Sequence, residues 1–510
     1  MKRIWIACAV AGLACVPARS AFAASCDSLA KVALKDTAIT KAEVVAAGTF
    51  EAPGGGGRGP NPYTALGEFC RVAATLTPTS DSDIKIEVWL PVSGWNGKYQ
   101  AVGNGGWAGV ISYSDMAEAL RNGYATASTD TGHVGGRGTF ALGHPEKLVD
   151  FAWRSEHEMT AKAKLLIAAF YGSGPKLSYW NGCSTGGRQG LKAAQMFPED
   201  YDGIIAGAPA NRTAMPLWIA DAVLRDPARY IPPGKYPVIH QAALDACDAG
   251  DGLKDGLIDD PRQCRFDPAV LLCKAGPSTP LGTSDGASCL TAPQVAAAKQ
   301  IYSNAVNPRT KQELFASLVP GTELGWGAQA AGPEPQAMTY DQYRYVVFKD
   351  PNWDWKTFDF DQDVVKGDLP ENVIMNATDP NLRPFFSRGG KIILYHGWSD
   401  PLITAVNTIK YYDAVVAHMG GAAKTTDHVR LFMAPGMGHC RGGEGPDTFD
   451  TVKALEAWVE RGQAPTRLEA SHSTNGKVDR TRPLCPYPQV ARYSGTGSID
   501  AAASFVCKAP

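Results

Sequence analysis

The sequence predicts an α/β fold, one largely buried sheet broken by a long inserted domain. Three observations carry that reading. From residue 84 to residue 211, short apolar runs alternate with helical stretches. The alternation stops over residues 212–387, which are richer in Pro, Asp, Trp and Cys, and resumes at Lys391. Between a strand-like run, Leu177 to Trp180, and a helical one, Gly187 to Phe197, lies Gly182-Cys183-Ser184-Thr185-Gly186. Gly-x-Ser-x-Gly is the pattern of a sharp strand-to-helix turn that carries a serine at its tip.

The elements follow in order. Met1-Lys2-Arg3, an apolar run from Ile4 to Pro17 and Ala21-Phe22-Ala23 read as a secretory signal over residues 1–23, removed at a small-x-small site. Residues 51–62, rich in Gly and Pro, read as a flexible loop that lacks the Gly-Lys-Ser/Thr of a phosphate loop. Ile84, Ile86, Val88 and Leu90 alternate with other residues at the period of a half-buried strand. Tyr99 to Val102 and Tyr124 to Ser128 are short strands around a helix at Asp115 to Asn122. Phe151 to Tyr171 is a long helix, and Gly203 to Ile205 a short strand. Lys391 to Tyr395 and Val429 to Met433 complete the sheet, followed by a helix with Val452, Leu455, Trp458 and Val459 on one stripe. The reading divides the mature chain into a catalytic domain, residues 24–211 and 388–510, and an inserted lid, residues 212–387. Residues 463–510 read as a loop-rich tail.

Composition narrows the function. A net charge of -2 without a long basic run argues against nucleic acid as a partner. No apolar run after the signal approaches the roughly 20 residues that span a bilayer, so no membrane partner is expected. Removing the signal takes Cys8 and Cys15 with it and leaves ten of the 12 cysteines. An even number in an exported chain, secreted or periplasmic, favours disulfides.

A serine hydroxyl attacks an ester only when a histidine takes its proton, and the imidazolium so formed needs an oriented carboxylate. In α/β-hydrolases these residues come in the order Ser, Asp, His, each after a strand. Ser184, Asp400 after Lys391 to Tyr395, and His439 after Val429 to Met433 fit in order and placement. His133 is a rival base, but it lies upstream of the serine. Cys183 precedes the serine and Cys440 follows the histidine; a bond between them would bring their Cα atoms within about 7 Å and hold nucleophile and base together. The oxyanion of acyl transfer needs backbone N–H donors. Thr185 is one candidate, and Gly105 or Gly106 in Gly103-Asn104-Gly105-Gly106 the other. Asp248, Asp251 and Asp255, with intervening carbonyls, form an acidic loop able to converge on a hard cation such as calcium, although the spacing departs from an EF-hand. A solvated Asp-Gly turn is the other use of such a loop.

The pairing of Cys183-Ser184-Thr185-Gly186-Gly187 with His396-Gly397-Trp398-Ser399-Asp400 and Gly438-His439-Cys440 resembles the tannase and feruloyl esterase family, which includes the mono(2-hydroxyethyl) terephthalate hydrolases. Gly103 to Gly106, His144 to Phe151 and Asp350 to Trp355 extend the resemblance over nearly the whole mature chain. It implies Ser184 as nucleophile, His439 as general base and then acid, Asp400 as its orienting partner, and Cys183–Cys440 as a bridge. It further implies bridges Cys26–Cys70, Cys247–Cys264, Cys273–Cys289 and Cys485–Cys507, and a structural Ca2+ held by Asp248, Asp251 and Asp255 with the carbonyls of Leu253 and Leu257. The activity implied is hydrolysis of small aromatic esters, hydroxycinnamates first, gallates second and terephthalate or phthalate monoesters third, without an organic cofactor. Trp107, Trp326, His396 and Trp398 are candidate walls of the substrate pocket; for the tryptophans core packing is the alternative. A non-catalytic, calcium-dependent binding module is the reading outside the enzymes.

Overall fold

A computed structural model describes residues 24–53, 61–213, 215–275, 280–283 and 286–510. The expected signal, residues 1–23, and residues 54–60 of the glycine-rich loop lie outside the described residues. The centre is a nine-stranded sheet. Its strands are β1 (Thr37–Val45), β2 (Phe69–Leu76), β3 (Ile84–Pro91), β4 (Lys98–Val102), β5 (Ala125–Thr129), β6 (Leu177–Cys183) and β7 (Gly203–Gly207), with two more beyond the insertion. The insertion carries a small hairpin, β8 (Ala305–Val306) and β9 (Glu313–Phe315). The sheet resumes with β10 (Lys391–Gly397) and β11 (Val429–Ala434) in the order β1-β2-β3-β5-β4-β6-β7-β10-β11. From β5 to β11 all neighbours are parallel; β1, β2 and β3 pair antiparallel. This is the α/β-hydrolase sheet. Helices α1 (Tyr113–Arg121), α2 (Pro145–Val149), α3 (Ser155–Tyr171) and α4 (Thr185–Met196) connect the strands ahead of the insertion.

Every sheet strand expected from periodicity is present. β1 and β2 were not legible. β1 is an edge strand with no fully buried residue and a register shift between Ile39 and Lys41, so its sequence has no alternation to read. The tail also differs from a loop. Leu468–Thr474 pairs with Lys477–Leu484, and Val490–Tyr493 with Phe505–Lys508. The first hairpin turns at Asn475-Gly476, both at positive φ, the turn chemistry that favours such hairpins.

Residues between β7 and β10 add no strand to the main sheet. They form their own apolar centre around Trp326, Ile239, Leu290 and Ile301. The insertion leaves the sheet at the C-terminal end of β7, the end at which β6 delivers Ser184, and is tied down there. Asp341, buried, accepts both Nε and Nη2 of Arg137 at 2.7 Å. A paired, bidentate contact of this kind is the strong form of an ion pair. All five expected disulfides form.

Candidate active site

β6 ends in the turn that the glycines allow. Ser184 has φ 63° and ψ -121°, a conformation that L-residues avoid and that surrounding structure must enforce. A Cβ on Gly182 would stand 2.6 Å from the Gly186 carbonyl carbon, and one on Gly103 would stand 2.5 Å from the Gly186 Cα. The glycines are therefore required by close approach of the backbone. The Ser184 N–H donates to Gly207 O at 3.0 Å, and its carbonyl accepts from Ala210 at 3.1 Å. The contacts anchor the turn to the end of β7 and to the segment that follows it.

The carboxylate and imidazole arrive from β10 and β11. His439 Nδ1 lies 2.7 Å from Asp400 Oδ2, and Asp400 is 1 % exposed. The same Oδ2 takes His396 Nε2 at 3.0 Å, while Oδ1 accepts the N–H groups of Leu402 at 2.8 Å and Ile403 at 3.0 Å. Burial opposes the charged carboxylate, but hydrogen bonds and Coulomb attraction from His396 and His439 override it and hold Asp400 well below the usual carboxylate range. Because an ionised carboxylate only accepts, both imidazoles donate to it. That leaves His439 Nε2 as the free basic nitrogen.

Ser184, Thr185, Gly105, Gly106 and His439 line one cavity of about 500 Å³. Cys183 and Cys440 are bonded with their Cα atoms 6.0 Å apart. The covalent link thus joins the residue before the serine to the residue after the histidine. Among the described residues the Ser184 hydroxyl has no hydrogen-bond partner; nucleophile–base contacts are commonly looser before substrate enters. The N–H groups of Thr185, Gly105 and Gly106 are likewise unengaged among the described residues, whereas the Gly186 N–H is engaged by Asn104 O at 2.8 Å.

A buried amide clamp behind the glycine loop was missed from the sequence. Asn104 donates its N–H to Gln189 Oε1 at 3.0 Å, and Gln189 Nε2 donates to Asn104 Oδ1 at 3.1 Å. Asn104 Nδ2 donates to Val110 O and Thr129 O, both at 2.9 Å. Gln189 Nε2 also bonds Glu156, whose carboxyl burial pushes up to about 7 against the nearby Arg188. The clamp fixes the loop bearing Gly105 and Gly106 to α4, whose N-terminus carries Thr185. A Gln five residues after the serine, on the helix face that also carries Gly186 and Gly190, was its only signal in the sequence.

The geometry has relatives. A family model described as tannase and feruloyl esterase matches residues 70–508. The chain belongs to that family. An uncharacterized esterase of Xanthomonas campestris pv. campestris is 39% identical over 537 residues, covering 95% of this chain and 91% of its own. A probable feruloyl esterase B-1 of Aspergillus oryzae is 34% identical over 513 residues, covering 96% and 94%. The crystal structure of feruloyl esterase B from Aspergillus oryzae superposes with a TM-score of 0.87 at 32% identity, covering 95% of this chain and 99% of that one. As a member of the tannase and feruloyl esterase family the protein is a carboxylic ester hydrolase.

Within this family member, four residues expected as possible pocket walls do other work. Trp107 is 2 % exposed, stacks on Phe151 and donates its indole N–H to Met338 O at 3.2 Å. Trp326 is 1 % exposed in the core of the insertion, edge-on to Tyr236 and Tyr302. Trp398 is buried beneath the Arg262 guanidinium, 5.3 Å away, and borders a different cavity. His396 is fully buried and orients Asp400. The apolar bulk of each indole is satisfied by packing, so none borders the serine's cavity. The rival base is also accounted for: His133 Nε2 lies 2.7 Å from Trp107 O, its ring stacks on Phe140, and burial lowers its pKa.

The aspartate loop folds on itself. Asp248 accepts the N–H groups of Asp255 at 3.1 Å and Gly256 at 3.0 Å; Asp251 accepts that of Leu253 at 2.9 Å; Asp255 accepts that of Leu257 at 3.2 Å and the Arg482 guanidinium. Among the described residues no three acidic, His or Cys side chains are grouped so as to hold an ion. Burial and then the charge of Asp251 push the neighbouring Asp259 carboxyl up to about 7. Arg482 compensates Asp255, which leaves the carboxylates of Asp248 and Asp251 as oxygen donors of the kind a hard cation takes.

A second tie joins the insertion to the loop after His439. His240 Nδ1 lies 2.8 Å from Glu323 Oε2, and Nε2 lies 2.6 Å from Glu444 Oε2. Burial opposes the imidazolium, but the two carboxylates prevail and raise the His240 pKa to about 9. A raised folded-state pKa stabilises fully below the ordinary value near 6.5 and loses that stabilisation as pH rises through about 9. With Glu444 half exposed, the tie contributes about 2 kcal/mol. The melting temperature is therefore expected to fall more steeply between pH 6.5 and 9.5 for the native chain than for His240→Gln. Parallel curves would contradict the tie.

Proposed function

We propose that this esterase hydrolyses esters of aromatic acids through an acyl-serine intermediate, with hydroxycinnamates as the preferred acyl group. The observation that carries this reading is the bonded pair Cys183–Cys440, which holds Ser184 beside a His439 already oriented by Asp400. His439 Nε2 takes the serine proton as Oγ attacks the ester carbonyl. The oxyanion is received by the Thr185 N–H and by Gly105 or Gly106. His439 then protonates the leaving alcohol, and water activated by the same nitrogen releases the acid.

The preference for hydroxycinnamates is supported by the names of the relatives and by the insertion. Met215, Leu217, Phe315 and Leu318, with Ser317 and Thr339, line a small hollow of about 50 Å³ that shares Gln336 and Leu402 with the serine's cavity. The insertion thereby serves as a lid that supplies the acyl side. In a panel of methyl ferulate, methyl gallate and mono(2-hydroxyethyl) terephthalate, kcat/KM is expected to be highest for methyl ferulate. A higher value for either competitor would overturn the acyl preference and leave the hydrolase reading standing. An intact set of Ser184, Asp400 and His439 disfavours a purely binding module.

Two finer points belong to the same reading. Five disulfides fit an exported enzyme, secreted or periplasmic. Calcium in the loop of Asp248, Asp251 and Asp255 would neutralise buried carboxylates and brace the lid, with no part in bond making. A chelator is expected to lower the melting temperature, restored by added calcium; an unchanged melt would count against the ion.

A further inference from the structure

Gly105 and Gly106 have no side chains, and a Cβ at either would meet nothing within 4 Å. Packing therefore does not hold the pair, and two adjacent glycines have the widest choice of backbone conformation. Hydrogen bonds hold it instead. Every carbonyl from Gly103 to Trp107 accepts from the protein: Gly103 O from Ser112 Oγ at 2.8 Å, Asn104 O from the Gly186 N–H at 2.8 Å, Gly105 O from the Ala108 N–H at 2.9 Å, Gly106 O from Thr185 Oγ1 at 3.0 Å and Trp107 O from His133 Nε2 at 2.7 Å. In a trans peptide the N–H points away from its carbonyl, so engaging Asn104 O and Gly105 O turns the Gly105 and Gly106 N–H groups away from those donors. Both glycines border the serine's cavity.

The two holds on either side of the glycine pair come from the first two residues of α4. The Gly186 N–H takes the carbonyl just before the pair, and the Thr185 hydroxyl takes the carbonyl of the second glycine. The first hold is backbone and survives any substitution; the second depends on one side chain. Thr185 is fully buried, and facing a carbonyl its hydroxyl can only donate. Its partner lies 79 positions away in the chain rather than in its own helix. The Thr185 N–H is meanwhile unengaged among the described residues, like those of Gly105 and Gly106. One residue thus supplies a donor to one half of the oxyanion site and, through its side chain, grips the loop that supplies the other half.

We propose that the Thr185 hydroxyl is a positioning group for catalysis: by holding Gly106 O it keeps the Gly105 and Gly106 N–H groups in register with the Thr185 N–H, so that the oxyanion meets donors already in place. The proposal rests on the serine-esterase reading, and its test separates the two. Donors fixed in advance act where charge develops, so their loosening appears in kcat and not in KM. Two quantities are measured. One is the turnover of p-nitrophenyl acetate, which does not depend on the aromatic acyl preference; the other is the affinity for phenylboronic acid, which adds to a serine oxygen as a tetrahedral anion. Thr185→Val keeps the shape and the backbone N–H but not the hydroxyl. It is expected to lower kcat about tenfold, to weaken phenylboronic acid by a similar factor and to leave KM within about twofold. Thr185→Ala, a better helix former, is the second variant and is expected to lose as much. Thr185→Ser, which retains the hydroxyl, is expected to recover most of both losses. A Thr185→Val or Thr185→Ala protein that melts lower yet keeps the native kcat and boronic acid affinity would overturn the proposal, because the hydroxyl would then serve stability alone. Equal losses in Thr185→Val and Thr185→Ser would overturn it too. A folded native protein that neither hydrolyses p-nitrophenyl acetate nor binds phenylboronic acid would refute the serine-esterase reading itself and the proposal with it.

Discussion

Asp400→Asn is expected to fold and to lose about 10⁴-fold in kcat with KM little changed. Asp400 accepts four hydrogen bonds, two from backbone N–H groups on Oδ1 and two from His396 and His439 on Oδ2. An asparagine can keep the backbone pair on its single oxygen, but then turns an NH2 group towards both imidazoles. His439 would have to present a bare Nδ1 to that group, which puts its proton on Nε2. In that tautomer it cannot take a proton from Ser184. The loss is one of transition-state chemistry, so it should appear in kcat and scarcely in KM. His396→Gln is the informative companion. It removes an orienting partner without inverting the tautomer, so its kcat should fall by roughly tenfold. A larger loss for His396→Gln than for Asp400→Asn would contradict this division of roles.

The second large effect concerns the bridge beside the serine. Cys183–Cys440 closes a loop with a sequence separation of 257. In the chain-entropy picture a loop of that size is worth on the order of 5 kcal/mol, and displacing catalytic groups by about 1 Å can cost 10²-fold in rate. Cys183→Ser/Cys440→Ser is therefore expected to melt earlier and to lose about 10²-fold in kcat in the molecules that remain folded. Cys273–Cys289, with a separation of 16 and confined to the insertion, supplies the control. Its removal should lower stability and leave kcat on methyl ferulate within about twofold. Equal kcat losses for the two bridges would mean that Cys183–Cys440 acts through general stability alone.

Much of this site was legible because its chemistry is written locally. Gly182, Ser184 and Gly186 specify the turn by what the backbone cannot accommodate, and Asp400 and His439 follow strands that carry the apolar runs Ile392 to Tyr395 and Leu431 to Ala434, as befits the buried middle of a parallel sheet. The adjacency of Cys183 to Ser184 and of Cys440 to His439 made a long-range contact visible in one dimension. What the sequence hid was polar and non-local. Asn104 and Gln189 are 85 positions apart, and nothing in either segment says that they bond each other. His396 looked like a pocket residue because it stands in the same motif as Asp400; only the fold shows its ring turned inward to Thr408 and Asp400. The tryptophans misled for the converse reason. Large aromatic rings near a motif suit a ligand wall and a core equally well, and only packing decides. Asn475-Gly476 was a readable turn that was passed over in a segment without long apolar runs.

The most direct test is labelling of the folded enzyme with a fluorophosphonate, followed by mass spectrometry of the non-reduced digest. A single adduct on Ser184, together with a linked Cys183–Cys440 peptide pair and loss of labelling in Asp400→Asn, is the predicted result. Folded protein that hydrolyses methyl ferulate while Ser184 stays unmodified, or that carries the adduct on another residue, would contradict it.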